Sequence, residues 1–284
     1  MSPAPRAWSP ARGYALMLVV PGLFLAVFFV VPLVWVALRS VSDPEPTTAH
    51  YVRVFTAGPY LRVLWNTIET AAVVAVLCLV IAYPVAAVVA FAREQRFRLL
   101  MGLILIPLWT SAVIRSYAWM IVFQRRGVLN DALQMLGLID TPIRFLPGSL
   151  AVHVGMVHLM LPFMLLPLIA NMRGIDRSLL RAAEVLGANP VRRFIEIFVP
   201  LSRPGIGAGL TLVFMTSLGF FVTPALLGGP QHTMAAVLIE QQANVQLNWP
   251  LASALSTTLL AVTVAIYLVY LRVMRSGGLV SGTA

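Results

Sequence analysis

The sequence contains no lysine, a single cysteine and few charged residues, and each shortage excludes a class of protein. Without lysine, the chain cannot carry the G-x-x-x-x-G-K-[ST] phosphate loop, so it does not hydrolyse ATP by that machinery. Cys78 cannot form an intramolecular disulfide and has no metal-ligand spacing around it. Because it lies in an apolar run, we interpret it as a small packing residue.

Charged residues make up 11% of the 284 residues and apolar residues 60%, which is too little charge to cover a soluble domain. All 20 basic residues are arginines, and a net charge of +10 could indicate nucleic-acid binding. The arginines, however, separate apolar stretches instead of lining one face, as topology signals at a membrane surface do. We therefore expect a membrane protein with no nucleic-acid partner.

Six apolar stretches reach the length of about 20 residues that a membrane span requires. They are Tyr14–Leu38, Asn66–Ala92, Leu99–Phe123, Leu150–Met172, Pro204–Leu227 and Leu251–Val273. The first is too long for the core of a signal peptide and no small-residue cleavage site follows it, so we expect a retained span. The sequence predicts an all-α membrane protein in which residues 14–273 form six transmembrane helices.

Arginine counts predict the orientation. If the N-terminus is cytoplasmic, thirteen arginines lie in inner segments and six in outer segments. The inner segments are 1–13, 93–98, 173–203 and 272–284, and the outer ones are 39–65, 124–149 and 228–250. Arg125 and Arg126 oppose this bias, and Arg115 lies within the third span. We expect a cytoplasmic N-terminal segment (1–13) and a cytoplasmic tail (274–284).

The inner loop 173–203 has the pattern of two short helices. Asp176 or Ser178 can cap the first helix, and Gly187 stands where a helix end needs a left-handed residue. Asn189 can cap the second helix, with Pro190 at its favoured first position. The apolar faces consist of Leu179, Ala182, Ala183 and Leu186, and of Val191, Phe194, Ile195 and Phe198. Pro200 and Pro204 mark the exit into the fifth span.

Two interpretations of this hairpin stay open on physical grounds. It can dock a cytoplasmic partner, because its alanines allow another backbone to approach closely. It can equally lie on the membrane surface as an amphipathic hairpin, because both arrangements bury an apolar helix face.

The same segment resembles the EAA motif of binding-protein-dependent ABC importers. Ala182 and Ala183, then Gly187, Ile197 and Pro200, match the fixed positions of that motif. Arg181 replaces its glutamate and Val199 its leucine, and Glu184 could compensate for the reversed charge. The resemblance implies the type I ABC importer permease (MetI-like) fold, with a coupling helix that inserts into the ATP-binding subunit.

A narrower resemblance connects the chain to spermidine/putrescine permeases. It rests on Pro107–Ser111, Arg115–Trp119 and Thr223–Pro230, with Glu240 and Asn248–Pro250 after them. The resemblance implies a permease subunit in a bacterial inner membrane, itself without catalytic residues, cofactor or metal. The implied partners are an ATPase subunit that binds ATP and Mg²⁺, a second permease that forms a heterodimer with this chain, and a periplasmic solute-binding protein.

A polyamine path would need carboxylates to replace hydration and aromatic faces for cation–π contacts. The candidates are Glu69, Trp109, Arg115, Tyr117, Trp119, Phe220 and Glu240. Each has a simpler interpretation, since Glu69 can mark a helix start and tryptophans often lie in the interfacial belt. Arg115 would repel a polyamine, so it either pairs with a carboxylate, faces elsewhere, or indicates an anionic solute.

Three alternatives remain open. An ABC permease could carry another small solute, such as an opine, an amino-acid derivative or an anion. An ion-coupled secondary transporter should show acidic residues at mid-span and often an inverted repeat, and neither is visible. A membrane scaffold would transport nothing. His153 and His158 could form a polar seam on the fourth span, where interhelical hydrogen bonds are their expected role.

Overall fold

The computed structural model describes residues 10–42 and 45–276, with side chains for 17–42 and 45–272. This part of the chain is helical and contains no β-strand. The predicted cytoplasmic segments 1–13 and 274–284 fall mostly outside it. The helices are α1 (Pro10–Leu25, continued by Ala26–Val30 and Val31–Ser42), α2 (Ala49–Thr56), α3 (Gly58–Phe91), α4 (Glu94–Leu105), α5 (Ala112–Val122), α6 (Val128–Met135), α7 (Ser149–Arg173), α8 (Arg177–Val185), α9 (Pro190–Arg193, Phe194–Phe198 and Val199–Leu218), α10 (Val222–Leu227), α11 (Ala235–Glu240, continued by Gln241–Val245) and α12 (Trp249–Ser276).

Five of these helices are long and apolar enough to cross a membrane, namely α1, α3, α7, α9 and α12. Helices α4 and α5 are bent by 90° at a short break, which is the geometry of a sixth, broken span or of a re-entrant loop. The prediction of about six spans is thus confirmed as five or six, but the third span, predicted as one helix over Leu99–Phe123, is not a single helix. A 3₁₀ turn (Ile106–Trp109) with Pro107 ends its first half, and the Ser111 hydroxyl accepts the Val113 N–H at 3.3 Å to start its second half.

Two predicted boundaries are wrong. Helix α3 begins at Gly58 instead of Asn66, because Pro59 occupies the helix start, where a missing N–H costs nothing. The fifth span, predicted as Pro204–Leu227, is the continuous helix α9 from Pro190 to Leu218 followed by the separate short helix α10. The second helix of the inner loop is therefore the first part of a transmembrane helix.

Helix α9 continues past Pro200 because a π-helical turn precedes it. A proline cannot donate the usual i→i−4 hydrogen bond, and a wider turn is one way to absorb the mismatch. The Val199 N–H donates to the Phe194 carbonyl, one residue further back than in an α-helix. Helix α1 repeats the arrangement, with the Val31 N–H bonded to the Ala26 carbonyl immediately before Pro32. Pro200 therefore does not end a helix as its position in the sequence suggested.

Helices α3, α7 and α9 form the centre of the bundle. Helix α7 contributes half of the largest fully buried side chains, among them Met156, Met160, Met164 and Leu168. A Cβ on Gly209 of α9 would lie 2.6 Å from the Met164 sulfur, so this glycine permits the close approach of α9 to α7. Small residues at such crossings are typical of membrane helices, which associate through close packing.

A second, smaller cluster joins α2, α3, α11 and α12 through Val54, Leu64, Ala235, Leu251 and Leu255. The second half of α1 (Val31–Ser42) packs against α12. Every side chain of α1 from Met17 to Trp35 is exposed in this single chain. Helix α1 therefore lies at the edge of the bundle, where lipid or another subunit can cover it.

Candidate coupling hairpin and translocation path

The hairpin formed by α8 and the first turns of α9 begins with an aspartate cap, as predicted. Asp176 accepts the Ser178 hydroxyl at 2.6 Å with one carboxylate oxygen and the Ser178 backbone N–H at 2.8 Å with the other. These hydrogen bonds, first from the hydroxyl and then from the backbone, hold the pKa of Asp176 below its ordinary value of 3.8. The start of α8 is therefore fixed by a charged side chain at neutral pH.

The turn between the two helices confirms the prediction that Gly187 ends α8 in a left-handed conformation. Its φ is +85°, in the left-handed region that glycine adopts without steric cost. The Gly187 N–H donates to the Glu184 carbonyl at 3.0 Å and the Ala188 N–H to the Ala183 carbonyl at 2.9 Å, which is the Schellman arrangement. Asn189 then caps α9 by accepting the Arg192 N–H at 2.7 Å.

Aromatic contacts hold the hairpin against the C-terminal half of α3. The Tyr83 ring meets the rings of Phe194 and Phe198 edge-on, at centroid distances of 6.0 and 6.1 Å. The Tyr83 hydroxyl shares a 2.7 Å hydrogen bond with Ser202, and the Arg177 guanidinium lies 5.1 Å from the centre of the Phe91 ring. The orientation of the hairpin is thus tied to the transmembrane bundle.

The apolar tip of the hairpin points away from the bundle. Val185 and Leu186 are 88% and 87% exposed, and Ala182 is exposed beside them. Leu180, outside the predicted apolar face, packs against the core instead. The predicted face of α8 is therefore free to bury itself against something outside this chain.

Charged residues of the hairpin pair mainly with each other. Glu184 binds Arg193 at 2.5 Å across the turn, and Glu196 binds Arg192 at 2.8 Å along α9. Glu184 therefore joins the two helices, and its compensation for Arg181 stays a prediction. The Arg181 side chain is exposed, while Ile197 and Pro200 are half-buried in and just after the π-helical turn.

The predicted path residues do not form one cluster. Trp109, 91% exposed, lies before the bend of the third span, whereas Arg115, Tyr117 and Trp119 follow it on α5. The Trp119 indole N–H donates to His158 Nδ1 at 3.1 Å, and its ring stacks on Phe123 at 5.3 Å. The expected interhelical role of His158 is thereby confirmed.

Two of the remaining candidates lie apart from α5. Glu69 is exposed on α3 and lines a cavity of about 240 Å³ together with Arg62, His153 and His232. Glu240 is half-buried within α11, at the last residue before its π-helical part. Phe220, between α9 and α10, packs against the central core, which favours a structural role.

One buried polar contact was not foreseen from the sequence. The hydroxyls of Ser116 and Thr223 share a hydrogen bond of 2.7 Å that joins α5 to α10. Gly155 of α7 lies directly against α10, because a Cβ on Gly155 would be 2.8 Å from the side chains of both Thr223 and Leu227. Lone serines and threonines in apolar runs give no sequence signal of this pairing.

The fold is that of a permease subunit of an ABC importer. The chain is similar to a chain in the crystal structure of a bacterial alginate ABC transporter in complex with an alginate pentasaccharide-bound periplasmic protein. The TM-score is 0.77, with 18% identity, and the match covers 94% of this chain and 96% of that one. An inward-facing MetNI methionine ABC transporter matches with a TM-score of 0.59 and 20% identity over 76% of this chain and 94% of the other.

The sequence is also similar to curated transport proteins, although no protein-family model matches it. The spermidine/putrescine transport system permease protein PotB of Haemophilus influenzae is 36% identical over 211 residues, which are 73% of this chain and 74% of PotB. PotB of Escherichia coli strain K12 is 38% identical over 216 residues, 76% of this chain and 78% of that protein. The chain belongs to the family of ABC importer permease subunits that includes these PotB proteins.

Proposed function

We propose that this chain forms, with a second and non-identical permease subunit, the translocation path of an ATP-driven importer for spermidine or putrescine. The observation that carries the solute assignment is the 36–38% identity to PotB proteins over about three quarters of the chain. A periplasmic binding protein would deliver the solute on the outer side. ATP and Mg²⁺ would bind to the ATPase subunit, and this chain would bind no cofactor.

The hairpin is the proposed ATPase contact. Its tip exposes Val185 and Leu186 and is held in place by Gly187, Asn189 and the Glu184–Arg193 ion pair. An exposed apolar tip on a rigid turn suits insertion into a groove of a partner protein. Because α3 packs on the hairpin and α9 continues from it, movement of the tip would pass directly into the transmembrane bundle.

Transport would follow alternating access, in which closure of the ATPase pair moves the hairpins and reorients the helices. Both termini would be cytoplasmic, on the same side as the hairpin. On the outer side, the carboxylates of Glu69 and Glu240 and the exposed ring of Tyr117 would supply the polar and cation–π contacts that a polyamine requires.

Two measurements test this function together. The tagged chain is purified in mild detergent and the co-purifying proteins are identified by mass spectrometry. Recovery of a phosphate-loop ATPase and a second six-span protein is expected, whereas a chain that purifies alone in several mild detergents would contradict the assignment.

The complete complex is then reconstituted with its binding protein, and ATP-dependent spermidine uptake is measured. Uptake that survives ATP depletion but not collapse of an ion gradient would establish the secondary transporter instead.

A different solute has one specific observation in its favour. The sulfoquinovosyl glycerol transport system permease SmoG of Agrobacterium fabrum is 28% identical over 93% of this chain and 91% of SmoG. Equilibrium binding of spermidine, putrescine and a panel of anionic solutes to the partner binding protein distinguishes the two. Binding of an anion and no polyamine would overturn the polyamine assignment and leave the ABC permease in place.

A further inference from the structure

Arg115 is a charged side chain at the start of α5, and two of its three guanidinium nitrogens lack acceptors. Its Nε and Nη1 atoms are both buried, and neither has a hydrogen-bond partner among the described residues. Guanidinium nitrogens are donors only, so they can be satisfied only by an oxygen or nitrogen acceptor. An unpaired cation in the interior of a membrane protein is costly, so intramembrane arginines pair with an acceptor.

The described part of this chain supplies no carboxylate to Arg115. Its ion pairs use Glu94, Glu184 and Glu196, all at the predicted cytoplasmic side. Glu69 on α3 and Glu240 on α11 are the acidic path candidates, and neither forms an ion pair with Arg115. The missing acceptor must therefore come from outside the described residues.

The neighbouring surface of α5 is uncovered in the single chain. Ile114, Tyr117 and Ile121 follow one another at helical spacing and are 63%, 47% and 55% exposed. The opposite side of the helix is closed, because Ser116 is fully buried against Thr223. His158, hydrogen-bonded to Trp119, is close enough to Arg115 to interact with its charge and cannot neutralise it. Arg115 thus borders an apolar face that needs both an apolar cover and a counter-ion.

We propose that Arg115 forms an ion pair with a carboxylate of the second permease subunit, at an interface that the exposed face of α5 contributes to. The proposal rests on the heterodimer of the proposed function. A dicationic or tricationic solute cannot serve as the counter-ion, because it would be repelled by an unpaired guanidinium. A protein carboxylate supplies the required charge complementarity permanently and keeps Arg115 from acting as a barrier to polyamines.

The test uses the complete complex with charge reversal on both sides. Arg115→Glu is combined in turn with Asp→Arg or Glu→Arg at each intramembrane acidic position of the second permease. Reversal of Arg115 alone is expected to reduce recovery of the second permease by roughly a hundredfold or more, since removing one partner of a buried ion pair leaves an uncompensated charge. One double reversal should restore both recovery and uptake. Arg126→Glu, at an exposed arginine just beyond α5, is the matched control and should change neither.

Three outcomes overturn the proposal, and they are separable from failure of the proposed function. Normal recovery and normal uptake with Arg115→Met would show that no counter-ion is needed. Normal recovery with Arg115→Met, combined with loss of uptake of an anionic solute, would identify the solute as the acceptor. Loss of recovery that no double reversal restores would indicate a contact inside this chain. Absence of any ATPase or second permease in the wild-type purification would instead contradict the function itself.

Discussion

At the residue scale, two glycines in the described chain occupy the same backbone state in different places. Gly187 ends α8 with a φ of +85°, and Gly137 follows α6 with a φ of +67°. Both close Schellman turns, since the Gly137 and Leu138 N–H groups donate to the Gln134 and Leu133 carbonyls. A Cβ at either position would meet nothing within 4 Å, so conformation alone opposes substitution.

This pair of glycines gives a test of the hairpin with an internal control. Gly187→Val and Gly137→Val should each cost about 1–2 kcal/mol locally, because L-residues disfavour the left-handed region. Only Gly187→Val should uncouple ATP hydrolysis from uptake and reduce recovery of the ATPase subunit. Uptake and ATPase recovery are measured in both variants. If both substitutions lower uptake and ATPase recovery equally, the hairpin is not a specific contact for the ATPase subunit.

Asp176 allows a second prediction, about pH. Because the folded-state pKa of Asp176 lies below its ordinary value of 3.8, the cap stabilises the hairpin fully above that pH and is lost as the pH falls through the lowered pKa. Ser178→Ala removes the larger of the two causes and should raise the pKa of Asp176 toward 3.8. The ¹³C shift of the aspartate carboxyl during an acid titration measures it. An unchanged titration would show that the Ser178 hydroxyl does not lower the pKa of Asp176.

At the scale of elements, the turn of the hairpin is closed by the Glu184–Arg193 ion pair. Arg193 is 22% exposed and Glu184 61%, so solvent screens the pair and about 0.5–1 kcal/mol is the expected contribution. Glu184→Arg or Arg193→Glu should weaken binding of the ATPase subunit, and the double exchange should recover part of it. If Arg181→Glu alone improves binding, the motif glutamate would still matter at that position.

The crossing of α9 and α7 gives a packing prediction. A Cβ at Gly209 would lie 2.6 Å from the Met164 sulfur and 3.3 Å from the Met164 carbonyl oxygen, so Gly209→Val overpacks the contact by about 1–3 kcal/mol. The apparent melting temperature in detergent should fall. Gly102→Val in α4, where a Cβ meets nothing within 4 Å, is the control and should leave it nearly unchanged.

At the scale of the whole molecule, the orientation of the chain in the membrane stays a prediction. It can be tested by cysteine labelling, because the sequence contains a single cysteine. Cys78 is fully buried, and Cys78→Ala gives a cysteine-free background. In that background, Arg181→Cys should react with a membrane-impermeant maleimide only from the cytoplasmic side, and Arg144→Cys only from the outside. The reverse pattern would invert the topology and remove the hairpin from the ATPase.

The sequence predicted those parts of the architecture that local chemistry determines. Hydrophobic length predicted six spans, and the short-range requirements of Asp176, Gly187 and Asn189 predicted the caps of the hairpin. The continuity of α9 through Pro200 was missed, because a π-helical turn leaves no composition signal. The break at Trp109 and the Ser116–Thr223 hydrogen bond depend on packing between distant segments, which one sequence does not reveal.

Because α9 is one continuous helix, it can transmit a displacement of the hairpin to its other end. Its 29 residues, at 1.5 Å each, extend about 43 Å from the hairpin to Gly219. Gly209, where an added Cβ would lie 2.6 Å from the Met164 sulfur, divides this length into arms of about 28 Å toward the hairpin and about 14 Å toward the other end. If Gly209 acts as the pivot, a displacement of the hairpin by about 4 Å moves the other end by about 2 Å in the opposite direction. A single pivot would thus close one mouth of the path as it opens the other.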